Sequence, residues 1–235
     1  MNYTGEMGHV AGDVELEALN QALNAPGELE AYKKSGDQYR VGTLARLLGD
    51  FLVWSGNVMY GTEPSYLKFR AIEVVARVPY HSWESVAYTL LTLFYTNEAR
   101  ALQLSRLARY ARLAQDNETM HVVVVSQLAK GERAGVLRHT IIPMLFAFVY
   151  FWASYLLYLI NPRSSYELNY LFEEHAFLQY SRFLELYEKE LRIKPISSDF
   201  LMNYGRTPRT QYEFFLSVRN DELIHRNQSL AHSRM

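Results

Sequence analysis

The chain has 235 residues, enough for one large domain or two small ones. Its 24 Lys and Arg balance 25 Asp and Glu, the signs are interspersed, and nothing points to nucleic acid as a partner. There is no cysteine, which excludes disulfides, thiolate metal sites and iron–sulfur clusters and leaves nitrogen and oxygen side chains to hold any metal.

Residues 1–37 are polar and rich in Gly, Pro and charge, and they read as an N-terminal arm. Within it, residues 13–24 suit a short helix capped by Asp13, with Glu15 and Glu17 near its positive end. The polar, acidic start is unlike a signal peptide. Residues 38–235 read as a single domain. Residues 38–60 form an amphipathic helix with an apolar stripe of Leu44, Leu47, Leu48, Phe51, Leu52 and Val53. Arg46 and Asp50 lie four apart on its polar side, the spacing of a surface ion pair.

Pro64 suits the first turn of the next helix, which carries Lys68, Ile72 and Glu73 and meets a break or kink at Pro79 before its apolar face resumes through Trp83, Val86, Leu90 and Phe94. Residues 97–130 form a long helix on which Leu107, Ala111, Ala114, Glu118, His121, Val125 and Leu128 share one face. Gly131 ends it. Residues 140–161 hold no charge and are long enough to cross a bilayer. Tyr150, Trp152, Ser154, Tyr155 and Tyr158 near the middle instead favour a helix with one side in lipid and the other against protein; a true span is the rival. The 18 tyrosines suit such an interface, and suit a helical core equally. The next helix runs over residues 162–192, with Glu173, Ala176 and Tyr180 on one side, and the last over residues 209–232, with Phe215, Val218, Glu222, His225 and Ser229 inward.

Four long helices therefore each present a glutamate on an apolar stripe: Glu73, Glu118, Glu173 and Glu222. Unpaired charge is costly there. The second and fourth also carry Glu-x-x-His, as Glu118–His121 and Glu222–His225, and residues three apart share a helix face. Two such pairs plus one carboxylate from each of two further helices make the dinuclear site of ferritin-like four-helix bundles. A third match, Glu6–His9, lies in the Gly-containing arm without an apolar face and is set aside. The competing explanation of the four glutamates is a set of buried Glu–Arg or Glu–Tyr pairs.

At these residues the chain resembles the alternative oxidase family, and most closely its plastid terminal oxidase branch. The resemblance rests on four motifs in the family's order: Ile72-Glu73-Val74-Val75-Ala76-Arg77-Val78-Pro79-Tyr80, Asn117-Glu118-Thr119-Met120-His121, Glu173-Glu174-His175-Ala176 followed by Tyr180, and Arg219-Asn220-Asp221-Glu222-Leu223-Ile224-His225. It implies an all-α, ferritin-like four-helix bundle housing two iron ions, with additional amphipathic helices that bind one leaflet of a membrane, and a homodimer. It implies a non-proton-pumping quinol oxidase that takes plastoquinol or ubiquinol and reduces dioxygen to water, on a thylakoid, plastid or bacterial inner membrane. Carried over residue by residue, Glu73, Glu118, Glu173 and Glu222 become iron carboxylates, with His121 and His225 as ligands or their hydrogen-bond partners. Tyr180 matches the tyrosine beside the iron and is expected to give an electron and a proton as the O–O bond breaks. Asn117 and Asp221 match polar residues behind the ligands. Arg46, Asp50, Lys68, Ile72, Phe172 and Ala176 match the quinol pocket, with Lys68 standing where the family usually carries arginine. The alternatives are a soluble ferritin-like di-iron oxygenase or radical-generating protein with the same ligands, and a non-enzymatic membrane-associated helical protein whose acids are structural.

Overall fold

Pro79 divides one apolar stretch into two helices, and that division positions the first glutamate. In the computed structural model, which describes residues 14–36 and 39–234, α4 (Tyr66–Ala76) ends at Arg77 and α5 (Val78–Phe94) begins with Pro79 in its first turn, where a missing N–H costs nothing. Glu73 thus lies in the last turn of α4. Before them come α1 (Val14–Ala22), α2 (Glu28–Lys34) and α3 (Thr43–Tyr60). After them come α6 (Glu98–Leu128), α7 (Ile142–Ile160), α8 (Pro162–Ile193), α9 (Asp199–Asn203) and α10 (Gln211–Ser233). Among the described residues there is no strand beyond an isolated bridge between Pro195 and Thr210.

The long helices start where the chain supplies a cap. Asn97, Asn161 and Thr210 each accept a backbone N–H from the residue three positions on, at α6, α8 and α10. The all-α bundle expected from the stripes is what forms. Helix α10 packs along α8, and α6 packs on α4 and α5. Its interior is layered. Phe69, Met120, Val125, Tyr180, Phe183, Phe215 and Val218 fill one end, and Tyr80, Trp83, Val86, Ala111, Ala114 and Tyr166 fill the other. The acids lie between these two dry layers: along α6, Glu118 falls between Ala114 and Met120, and along α8, Glu173 falls between Tyr166 and Tyr180.

Three peripheral features bear on function. Helix α1 rests on α10 through Leu16, Leu23 and Ile224, so the described part of the N-terminal segment is docked; Asp13, its expected cap, lies outside the described residues. Helix α2, not anticipated from the sequence, follows a turn at Gly27, whose φ of 83° favours glycine, and its last turn is held by Arg226 through the Lys33 carbonyl at 2.5 Å. Helix α7 buries Pro143, Tyr150, Ser154 and Tyr158 on one side and exposes Leu145, Phe148, Val149, Trp152 and Leu156 on the other. Helix α3 likewise exposes Leu44, Leu47, Phe51, Trp54 and Val58, and an apolar trough lined by Leu48, Phe51, Phe146 and Val149 joins the two helices.

Candidate metal centre

Four carboxylates that a folded chain ordinarily keeps in water meet in the middle of the bundle. Glu118, Glu173 and Glu222 are wholly buried and Glu73 nearly so. With His121 and His225 they form two groups whose ligand atoms lie within 4.8 Å of one another: Glu73, Glu118, His121 and Glu222, and Glu118, Glu173, Glu222 and His225. Glu118 and Glu222 belong to both groups. Two overlapping groups that share two carboxylates could hold two ions, with Glu73 and His121 at one end and Glu173 and His225 at the other.

Hydrogen bonding separates the atoms aimed inward from those held by protein. Tyr180 donates its hydroxyl to Glu73 Oε1, and Tyr80 donates to Glu173 Oε1 at 2.8 Å. His121 Nε2 lies 3.0 Å from Asp221 Oδ2, and His225 Nδ1 lies 2.7 Å from Glu118 Oε1. The remaining atoms, Glu73 Oε2, Glu118 Oε2, Glu173 Oε2, both oxygens of Glu222, His121 Nδ1 and His225 Nε2, are buried without a hydrogen-bond partner. Buried polar atoms are nearly always paired. Such a set of orphans, all hard oxygen or imidazole nitrogen, fits a cation pair and fits nothing apolar. The competing explanation by Glu–Arg pairs fails here, since no arginine reaches these four glutamates among the described ion pairs.

The electrostatics agree. Burial, and then Glu118, push Glu73 up to about 8. Burial and Glu118 also raise Glu173, and hold Glu222 well above the usual carboxylate range. Burial opposes the charge of Glu118 as well, yet His121 and His225 hold it down at about 2. Protein thus favours the charged form of Glu118 and disfavours that of Glu73, Glu173 and Glu222, which take protons unless a cation stands beside them.

The family model described as alternative oxidase matches residues 29–233. The chain belongs to the alternative oxidase family. Ubiquinol oxidase 4, chloroplastic/chromoplastic, of Arabidopsis thaliana is 26% identical over 182 residues, which is 68% of this chain and 49% of that protein. The chain thus spans about half the length of the curated relative it matches.

In this chain the expected ligands converge, and so do Asn117 and Asp221. Asn117 Nδ2 donates to Asp221 Oδ2 at 3.2 Å, and Asp221 backs His121. The residues expected around a quinol are less gathered. A cavity of about 260 Å³ opens between α3, α4, α7 and α8, and its lining includes Tyr60, Ile72, Phe172 and His175. Ile72 precedes Glu73 on α4 and Phe172 precedes Glu173 on α8, so the cavity is walled by two of the helices that carry the acids. Lys68 stands at its edge, buried, with Nζ bonded to Asn57, Gln179 and the carbonyls of Gly61 and Thr62. An ammonium has three donors, and these are spent on protein. Arg46 and Asp50 are exposed on α3, away from the cavity lining, and Ala176 is half-buried beside it.

The sequence reading missed four residues. Arg206 forms a buried pair with Asp221 and also bonds Glu17 at 2.8 Å. Asn20 donates to Asp221 Oδ1 at 2.7 Å, so α1 touches the residue behind His121. Asn169 bonds Glu173, Tyr80 and Ser229. Tyr80 had a visible signal: it follows Glu73 by the seven residues that separate Tyr180 from Glu173, and each tyrosine serves the other helix's glutamate.

Proposed function

We propose that this chain is a membrane-associated quinol:oxygen oxidoreductase with a di-iron centre held by Glu73, Glu118, Glu173, Glu222, His121 and His225. The observation that carries the reading is the pair of overlapping ligand groups sharing Glu118 and Glu222, with their unpaired atoms facing inward. Two iron ions there supply the redox chemistry by which dioxygen is reduced to water. Each quinol gives two electrons and two protons, so two quinols serve one dioxygen.

The protein's part is binding, orientation and exclusion of water. Four carboxylates balance the four charges of a diferrous pair, which lets the centre sit between dry layers. The cavity beside Ile72 and Phe172 accepts the quinol ring, with His175 and Tyr60 as the polar groups that meet its hydroxyls. Tyr180, bonded to Glu73, is placed to give an electron while its proton passes along that bond. An isoprenoid quinol is insoluble in water, and the cavity lies between helices α3 and α7, whose outer faces are apolar. Those faces set the protein on one leaflet of a thylakoid, plastid or bacterial inner membrane. They also give a reason for exposure that a soluble di-iron oxygenase lacks. A bundle resting on one leaflet moves no protons across the bilayer. The relative is named a ubiquinol oxidase and is chloroplastic, so plastoquinol and ubiquinol both stand as the quinol. A homodimer is the assembly we assign.

The test is oxygen consumption by protein of measured iron content, with plastoquinol and ubiquinol analogues and with cyanide present. Cyanide-resistant uptake at two quinols per dioxygen is expected. Stoichiometric iron without quinol-dependent uptake would refute the oxidase.

A further inference from the structure

The two tyrosines that hold the outer carboxylates keep different company. Tyr180 is stacked on Phe69 with ring centroids 4.1 Å apart, with Phe215 at 6.0 Å, and Phe183 lies 5.2 Å from Phe69. Its surroundings are phenyl rings. Tyr80 lies 5.2 Å from Trp83, Trp83 lies 4.7 Å from Tyr166, and Tyr166 lies 5.5 Å from Tyr158, with the two hydroxyls 2.9 Å apart. Tyr80 and Trp83 are wholly buried, whereas Tyr158, near the end of α7, keeps 9% of its surface. The rings step from the metal centre to the last turn of α7, where Tyr158 retains a small exposed fraction.

Chemistry distinguishes the two shells. A phenol or an indole gives up one electron at potentials that an oxygen-reducing centre reaches; a phenyl ring, with no acidic proton and no electron-rich heteroatom, does not. Electron tunnelling decays exponentially with distance, so a file of oxidisable rings in contact outruns a single long jump. A hole on Tyr180 must cross a phenyl ring before it meets the next phenol, Tyr66, whereas a hole on Tyr80 has an oxidisable ring directly beside it.

We propose that Tyr80, Trp83, Tyr166 and Tyr158 form a discharge path that carries an oxidising equivalent from the metal centre to the surface when quinol does not arrive. This rests on the di-iron oxidase reading. Tyr80 gives one electron to the dioxygen-oxidised centre, and its phenolic proton moves to Glu173 Oε1 along the 2.8 Å bond. Trp83 then reduces the Tyr80 radical, and the proton returns. Trp83, its indole N–H bonded to Ser165 Oγ at 2.8 Å, is reduced in turn by the Tyr166–Tyr158 pair, which releases one proton to solvent. A small soluble hydrogen-atom donor of the ascorbate class restores the phenol. In sum the donor loses one hydrogen atom, the centre gains one electron, and one proton is freed.

The test mixes iron(II)-loaded protein with dioxygen in the absence of quinol, with and without ascorbate, and follows radicals by freeze-quench EPR. The wild-type protein should show a tyrosyl signal that ascorbate quenches. In Trp83→Phe, quenching should slow by on the order of tenfold, with covalent oxidation shifting to peptides around Tyr80 by mass spectrometry. Tyr166→Phe keeps the ring and should behave alike, which guards against a folding defect in the first variant. Quinol-dependent turnover should be unchanged in both, since neither ring touches a ligand. Equal quenching in wild type and both variants, or no radical beyond Tyr80, overturns the path. Quinol turnover is assayed separately: its absence alongside an ascorbate-sensitive radical would sink the quinol assignment and leave the path standing.

Discussion

Asp221 Oδ2 lies 3.0 Å from His121 Nε2 and so decides which nitrogen His121 turns to the centre. The hydrogen bond keeps a proton on Nε2, so Nδ1 is the nitrogen that would give up its proton to a metal; it lies 3.4 Å from Glu118 Oε2 and Glu222 Oε1. Asp221 is kept ionised by Arg206, despite complete burial, and Asn20 and Asn117 occupy its remaining capacity. Asp221→Asn keeps the shape and removes the charge. Metal affinity should fall by about 10- to 100-fold. Stability should fall by about 3–5 kcal/mol, because Arg206 is left charged and buried. Iron titration and urea unfolding measure the two effects; unchanged values in both would deny Asp221 this role.

Tyr180→Phe separates holding iron from using it. The hydroxyl is bonded to Glu73 but is not itself an inward-facing ligand atom. Its loss should leave two irons bound while quinol-dependent oxygen uptake falls below a tenth of wild type, about 1.4 kcal/mol or more on the barrier. Leaving Glu73 Oε1 unpaired should also cost about 1–3 kcal/mol of stability. Wild-type uptake in the variant would remove Tyr180 from the chemistry.

The convergence of the four glutamates and two histidines was legible in the sequence for a simple reason. Glu-x-x-His places two donors on one helix face, and a glutamate on an apolar stripe is conspicuous because burial is expensive. Tyr180 was visible by its register with Glu173. Arg206 was not, because it lies in the loop after α9, where no period tells which way a side chain points. Asn20 was hidden for a related cause: a polar residue on a short N-terminal helix looks solvated until the partner two hundred positions away is known. Arg46, Asp50 and Lys68 show the opposite limit. Similarity put them near a substrate, whereas local packing leaves the first two in solvent and spends the third on backbone carbonyls.

The metal-free protein should be stabilised by acid over the range where most proteins are indifferent. Glu73 is raised to about 8 in the fold, against 4.5 for a free glutamate, and Glu173 and Glu222 are raised too. The folded state therefore binds more protons than the unfolded chain between these values. Stability falls as pH rises through that window. The raised histidines, His121 and His225, act in the same direction above their unfolded value of 6.5. Bound metal replaces those protons and should remove the slope. Thermal melts of chelator-treated protein should drop steadily from pH 5 to 8, while iron-loaded protein stays level. Parallel curves for the two forms would mean that the carboxylates do not share a metal.

The outer faces of α3 and α7 give the last prediction. A fully buried large apolar side chain is worth about 1.5–3 kcal/mol relative to one left in water. Leu145 and Phe148 are 62% and 66% exposed and neighbour each other on α7. Neither lines the cavity beside Ile72, and both lie on the side away from Tyr150 and Ser154. Replacing both by glutamate should leave the fold and the iron intact, since no core contact is lost. It should weaken binding to lipid vesicles by well over tenfold, because two apolar anchors become charges that resist transfer out of water. Co-sedimentation with vesicles in high salt reads this directly: the wild type should pellet, since the attachment is apolar and unscreened, and the double variant should remain in solution. A wild-type protein that itself stays in solution would show that these faces meet something other than a bilayer.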